Sequence, residues 1–327
     1  MGAPPLVDLG PLLAADTTVD RAEHTIARLH EACTETGFVV VTGHGIDDEL
    51  SDLMLAARAF FAEPQQDKER TPRVDRYGFV PHAGTAIDAT RASDRTEYLD
   101  LGLADEVPIP EVPGHDLAGA VRSYQRAALP VGHAVLAALA SALGLDDGFF
   151  RSRMERPQCR LRLLHYPPIE PAADGTLPVP TEPHTDYGLI TLLATDGVAG
   201  LEVKPLGGDW TPVDAATGQL VVNLGDMMAR WTNDLYRSTP HRVVGPAEGD
   251  RISIPFFVNP DPATVVETIP ACVTAERPAH YEPVTAGEFL ARRIDGYDEP
   301  YVDRTEGPAR RAPTSPETAP SDATRSV

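Results

Sequence analysis

Between about residues 160 and 258 the chain is never apolar for long. The runs Arg160–Tyr166, Leu189–Ala194, Leu201–Lys204, Gln219–Leu224, His241–Val244 and Ile252–Val258 are cut apart by turns rich in Gly, Pro and Asp. Short strands at such intervals predict an antiparallel barrel or jelly roll. Upstream the texture differs. Residues 19–36 predict an amphipathic helix, with Asp20 as N-cap, Ile26, Leu29 and Cys33 at helical spacing, and Gly37 as its stop. The β-branched run Phe38-Val39-Val40-Val41-Thr42 predicts a buried strand. Gly43-His44-Gly45 then turns the chain into a second helix, beginning near Asp47, carrying Leu50, Leu53, Ala57 and Phe60-Phe61, and ending before Pro64. The polar stretch 64–95 reads as loop. A long Ala/Leu-rich helix is predicted at about 116–144, and another at 286–294. Past Tyr301 the prolines 308, 313, 316 and 320 lie among Thr, Ser, Ala and Arg, which predicts a disordered tail. The organisation expected is an N-terminal helical and strand region at 1–155, a core at 156–298 and a tail at 299–327.

Charge narrows the partners. With 28 basic and 49 acidic residues among 327, the net charge is −21, which argues against nucleic acid and against an anionic membrane surface. The three cysteines, Cys33, Cys159 and Cys272, lie far apart with no CxxC, so neither a disulfide framework nor a cysteine zinc site is supported. Cys159 and Cys272 are read as inert, having no basic or histidine pattern that would activate them. The N-terminus lacks a basic segment followed by an apolar one, and no apolar run approaches the ~20 residues that span a bilayer. The expectation is a cytoplasmic protein.

The chemistry concentrates in Pro183-His184-Thr185-Asp186 and in Ser238-Thr239-Pro240-His241. On a strand, residues i and i+2 share a face, so His184 and Asp186 can point together into a barrel. With His241 on a facing strand, two imidazoles and one carboxylate would meet on one side of a metal. That ligand set leaves open positions and is diagnostic of non-haem Fe(II) oxygenases. Arg251-Ile252-Ser253 follows ten residues after His241. An arginine fixes a carboxylate bidentately, and a nearby hydroxyl adds a hydrogen bond. Equally, Arg251 could pair with an internal Asp or Glu, which so acidic a chain can supply.

Taken together, HTDYGLITLLATDGVAGLEV, VVNLGDMMARWTNDLYRSTPHRVV and RISIPFFVNP resemble the 2-oxoglutarate/Fe(II)-dependent oxygenases of the isopenicillin N synthase-like group. GFVVVTGHGI and the LHYPP at 164–168 are similar to that family's landmarks, so the resemblance spans about residues 5–295. It implies a mixed, β-rich fold: a double-stranded β-helix (jelly roll) core with flanking N-terminal and central helices. It also implies Fe(II) ligation by His184, Asp186 and His241. Arg251 and Ser253 would hold the distal carboxylate of 2-oxoglutarate, and Tyr166 would hydrogen-bond this co-substrate. Leu164 departs from the pattern, standing where the family often has Asn. The implied reaction consumes O₂ and 2-oxoglutarate, releases succinate and CO₂, and oxidises a small molecule by hydroxylation, desaturation or ring formation.

For the substrate, Pro255 and Phe257 are candidates by period-2 counting from Arg251 and Ser253. Tyr77 and Phe79, in Arg76-Tyr77-Gly78-Phe79, are read as pocket or as plain packing. The other histidines are read as packing or surface, with His44 stabilising its turn. Gly225-Asp226 is read as a hairpin turn, and Trp210 and Trp231 as core. Ala, Pro and Arg are abundant, as in GC-rich bacterial genomes, where such enzymes tailor specialised metabolites. Two other readings stay open at this point: an Fe(II)/O₂ oxidase of the same scaffold that consumes no 2-oxoglutarate, and a non-catalytic binding protein on a retired barrel.

Overall fold

In the computed structural model, residues 3–294 are described apart from 15–16, 82–95, 104–106, 172–173, 176, 178 and 247–248. The tail expected at 299–327 falls outside them, as does His82. In chain order the elements are β1 (Leu6–Asp8), α1 (Gly10–Leu13), α2 (Val19–Glu35), β2 (Phe38–Thr42), α3 (Asp47–Ala62), α4 (Gln65–Lys68), β3 (Gly78–Val80), β4 (Glu97–Gly102) and α5 (Leu117–Ala142). There follow β5 (Gln158–Tyr166), β6 (Thr181–His184), β7 (Ile190–Thr195), β8 (Leu201–Val203), β9 (Thr211–Pro212), β10 (Leu220–Leu224) and α6 (Asp226–Trp231). The last are β11 (His241–Val243), β12 (Arg251–Asn259), β13 (Val265–Val266), β14 (Val284–Thr285) and α7 (Ala286–Ile294).

Two sheets form a jelly roll. The larger runs β1-β2-β10-β7-β12-β5-β4-β3 and the smaller β6-β11-β8-β9. Apart from the parallel β1–β2 pair, the pairings within both are antiparallel. Strands from before and after residue 155 therefore share one sheet. Register then sorts every side chain, because residues opposite each other point to the same face. Phe257 lies opposite both Arg160 and Thr191, Arg251 opposite Tyr166, and Ser253 opposite Leu164 and Thr195. Thr191 lies opposite Asn223, and Asn223 opposite Phe38. All of these occupy one face, the barrel interior.

The intervening residues face the helices. Val39, Val41, Leu99, Leu101, Leu161, Leu163, Ile190, Leu192, Leu220, Val222, Ile252, Ile254, Phe256 and Val258 are buried in one core with α2, α3 and α5. Helix α2 contributes Leu29 and Cys33, α3 Leu53, Ala57 and Phe60, and α5 Val121, Tyr124 and Leu139. Inside the barrel a second, smaller apolar cluster of Phe38, Val40, Leu201, Val203, Val213 and Val221 joins the two sheets.

Several expectations need correction. Thr18, not Asp20, precedes the first turn of α2, and Asp20 lies within that turn. The stretch after Pro64 is not loop throughout. It holds α4, and β3 extends the sheet's edge by pairing with β4. Such short elements leave no periodicity to read. Gly225-Asp226 is no hairpin turn either: Gly225 is the N-cap of α6. A side chain on Gly225 would meet the carbonyl of Gly188 at 2.3 Å, so close backbone packing explains this glycine. Trp231 is core, whereas Trp210 is half-buried beneath the Arg242 guanidinium.

Candidate metal centre

His184 ends β6 and His241 begins β11, and the two residues pair directly across the small sheet. Their rings lie with centroids 4.3 Å apart. In each ring Nδ1 meets a carbonyl two residues upstream, Glu182 O at 2.8 Å from His184 and Thr239 O at 3.2 Å from His241. A ring whose Nδ1 donates to a carbonyl keeps its lone pair on Nε2, the atom left for a metal. Asp186 lies just beyond β6, so the expectation that it shares a strand face with His184 is corrected: other groups aim its carboxylate. Thr191 Oγ1 donates to its Oδ2 at 2.6 Å and Asn223 Nδ2 donates to the same oxygen at 2.7 Å. That leaves Oδ1, which stands 3.8 Å from His241 Nε2. One ligand atom from each of His184, Asp186 and His241 falls within 4.8 Å of the others, close enough for all three to hold one metal ion.

Electrostatics keeps His241 and Asp186 in forms that can bind a metal. Burial, then the neighbouring His184, pushes His241 down to about 4, so this imidazole is neutral at pH 7. Burial alone would raise Asp186. The two histidines and the bonds from Thr191 and Asn223 outweigh it and hold the carboxyl below its ordinary value. Phe38 packs edge-on against His241 at 5.3 Å and seals the apolar side. Asn223 is a functional residue that motif reading passes over. Its signal is the alternation of β10, which puts Asn223 on the interior face.

Further along the same interior lies Arg251, only 1% exposed. Its Nε donates to Val198 O at 3.2 Å, and its guanidinium sits 5.0 Å from the Tyr166 ring centre. Nη1 is buried without a hydrogen-bond partner. The competing expectation, an internal carboxylate partner, fails: among the described residues none lies within ion-pair distance of Arg251. The nearby Asp196 is instead taken by Arg58 at 2.6 Å and by the Ile252 amide at 2.8 Å. A buried guanidinium with an unused donor is costly unless an anion meets it. Beside it opens a cavity of about 350 Å³, whose walls include Thr195, Leu201, Val213 and Val221. Beside the guanidinium Gly200, at φ 149°, packs against the Val244 carbonyl, which a side chain there would meet at 2.6 Å. Ser253 is buried on the same strand face, and the Tyr166 hydroxyl lies 3.4 Å from Thr181 Oγ1.

Of the expected substrate contacts, Pro255 and Phe257 do face the interior, opposite Leu193 and Thr191 respectively. Phe79 does not. It pairs with Leu99 on the helix-side face and packs edge-on against Phe60 at 5.7 Å, because β3 places it one residue out of phase with the interior. Tyr77 is partly buried against the same helix-side core. His44 stabilises its turn as expected, with Nε2 meeting Gly218 O and Nδ1 accepting from the Ile46 amide. Burial pushes the Cys33 and Cys159 thiols up to about 12, so both are inert at neutral pH.

A jelly roll in which two imidazoles and a carboxylate converge carries the ligand set of mononuclear non-haem Fe(II) oxygenases. Comparison with known proteins makes this specific. Residues 157–260 match the 2OG-Fe(II) oxygenase superfamily, and residues 4–119 match the N-terminal region described as non-haem dioxygenase in morphine synthesis. The chain is 31% identical over 310 residues to the 2-oxoglutarate-Fe(II) type oxidoreductase hxnY of Emericella nidulans, covering 88% of each chain. It is 35% identical over 276 residues to the 2-oxoglutarate-dependent dioxygenase citB of Monascus ruber, covering 77% of this chain and 83% of that one. A full-length Neurospora crassa protein, crystallised in complex with alpha-KG and thymine, superposes with a TM-score of 0.78 at 27% identity, covering 90% and 97% of the two chains. This chain belongs to the 2-oxoglutarate/Fe(II)-dependent oxygenase family. It is an enzyme that uses Fe(II), 2-oxoglutarate and O₂ in oxidation, with release of succinate and CO₂.

Proposed function

We propose that His184, Asp186 and His241 are the iron ligands, that Arg251, Ser253 and Tyr166 hold 2-oxoglutarate, and that the substrate is a small molecule, a specialised metabolite. The observation that carries the assignment is the buried, unpartnered Nη1 of Arg251 on the barrel interior that also holds the triad. When bound, Fe(II) and 2-oxoglutarate would supply the electrons that activate O₂, the oxidant of the reaction.

The chain's own residues do the rest. His241 arrives neutral, so no proton need leave it before metal binds. Thr191 and Asn223 fix Asp186 through one oxygen and present the other, the arrangement by which outer partners orient a ligand. Arg251 offers a charge-assisted donor to the distal carboxylate, with Ser253 beside it. Phe38, Val40, Val203 and Val221 exclude water from the space between the sheets. Phe257 and Pro255 line the wall the substrate meets.

The similar Neurospora crassa protein, solved with thymine, supports the small-molecule reading. The chemical outcome is hydroxylation, desaturation or oxidative cyclisation. Among the described residues no helix is long and apolar enough to cross a membrane. The cysteines are free and buried, which supports a reducing compartment, and we place the enzyme in the cytoplasm. The test is succinate release from 2-oxoglutarate, coupled to loss of a candidate substrate in a small-molecule panel. Turnover of a substrate with no 2-oxoglutarate added would instead establish the oxidase alternative.

A further inference from the structure

Across the neighbouring strands β10, β7, β12, β5 and β4, the interior positions carry four charged side chains: Asp100, Arg160, Arg162 and Arg251. Two of them neutralise each other. Arg162 donates to both oxygens of Asp100, each at 2.6 Å, and lies 4.1 Å from the Tyr98 ring centre. Arg251 is committed to the cavity at the other end. Arg160 is left over. Its nearest carboxylate among the described residues is the same Asp100, 4.0 Å from its Nη1, whose two oxygens each already accept a short bond from Arg162. Its guanidinium instead rests 4.9 Å from the centre of the Phe257 ring, and its side chain is 27% exposed. The residue opposite it on β4 is Gly102, so no side chain fills the space beside it from that strand.

Arg160 is also near the reaction. Phe257, under its guanidinium, lies opposite Thr191, whose hydroxyl holds Asp186. Arg160 feels the charge of Asp186, although burial and the adjacent Arg162 depress its own pKa. A cation held there at a cost in solvation, with no carboxylate closer than 4.0 Å among the described residues, is built to meet one. Charge balance agrees and rests on the metal and co-substrate assignment above. A divalent iron, a dianionic 2-oxoglutarate, Asp186 and Arg251 together cancel. The Asp100, Arg160 and Arg162 cluster then leaves one positive charge in excess among the described residues of these five strands.

We propose that Arg160 is the substrate-anchoring residue, and that the substrate is a monoanion, a carboxylic acid carried on an apolar or aromatic body. Its carboxylate pairs with the Arg160 guanidinium while its body lies against Phe257 and Pro255. The pairing sets which acid is accepted and holds its reactive carbon toward the triad. It involves no proton transfer.

The test uses the Fe(II)-loaded enzyme under anaerobic conditions with saturating 2-oxoglutarate, so that Arg251 is occupied. Matched pairs of acid and primary amide are titrated by calorimetry: benzoate, phenylacetate, cyclohexanecarboxylate and 4-phenylbutyrate, each against its amide. The acids are expected to bind about ten- to a hundredfold more tightly than the amides, as for a charge-assisted bond. Arg160→Gln should erase the preference and Arg160→Lys should keep part of it, while the 2-oxoglutarate affinity of both variants stays that of wild type. Equal affinity for acid and amide, binding of neither by the wild type, or a preference that survives Arg160→Gln overturns this proposal alone. Failure of the wild type to bind 2-oxoglutarate overturns the assignment beneath it, and this proposal with it.

Discussion

The two faces of the large sheet are built from the same strands and differ in almost everything else. In β12, Ile252, Ile254, Phe256 and Val258 face the helices, while Arg251, Ser253, Pro255 and Phe257 face the barrel interior. In β10, Val222 and Leu224 contrast with Asn223 in the same way. The helix-side face is mostly hydrocarbon sharing a single core, broken where Glu97 on β4 meets Lys68 and His165. The interior face carries charged and polar groups: Thr191 and Asn223 bond Asp186, Arg162 and Asp100 pair with each other, and Nη1 of Arg251 is left open. One strand therefore supplies stability from alternate residues and chemistry from those between. A one-residue slip in register would exchange the two roles.

Substitutions on the two faces should consequently fail in different ways. The largest effect is expected at the triad, where His184→Ala should lower succinate formation more than about a hundredfold, beyond the usual cost of losing an outer partner. Its melting temperature, followed by circular dichroism, should stay near that of the metal-free wild type. Phe256→Ala on the opposite face should do the reverse. It should cost about 3–5 kcal/mol of unfolding free energy in a urea titration, while the folded fraction keeps its affinity for 2-oxoglutarate. If Phe256→Ala weakened co-substrate binding as strongly as it weakened the fold, the two faces would not be separable.

Arg251→Gln should raise the dissociation constant for 2-oxoglutarate about ten- to a hundredfold, the worth of a hydrogen bond to a charged group, and leave iron content unchanged. Asn223→Ala and Thr191→Val come last, each expected to weaken iron binding about tenfold in a competition titration with a chelator. A double variant no weaker than either single one would show that the two donors act on Asp186 as a unit.

Much of this is legible in the sequence because the strands are short and bounded by Gly, Pro and Asp. The HxD motif, His241 and Arg-x-Ser each stand at a strand end or on a face that period-2 counting reaches. The motif finds Asp186 for an incomplete reason. Its direction comes from Thr191 and Asn223, which join it only through long-range pairing. Phe79 shows the opposite failure: a three-residue strand gives too little alternation to tell its face, and pairing with Leu99 decides it. Arg162 and Asp100 are invisible as a pair, and Arg160 as the cation left beside them, because nothing local links β5 to β4.

The central claim is that Asp186, held by its two neighbours, completes a single iron site with His184 and His241. The direct measurement is iron content by elemental analysis after anaerobic loading and dialysis, on wild type and Asp186→Ala side by side. Wild type should retain one Fe(II) per chain, and Asp186→Ala should retain none while still unfolding cooperatively. An Asp186→Ala protein that keeps its iron as wild type does would contradict the account.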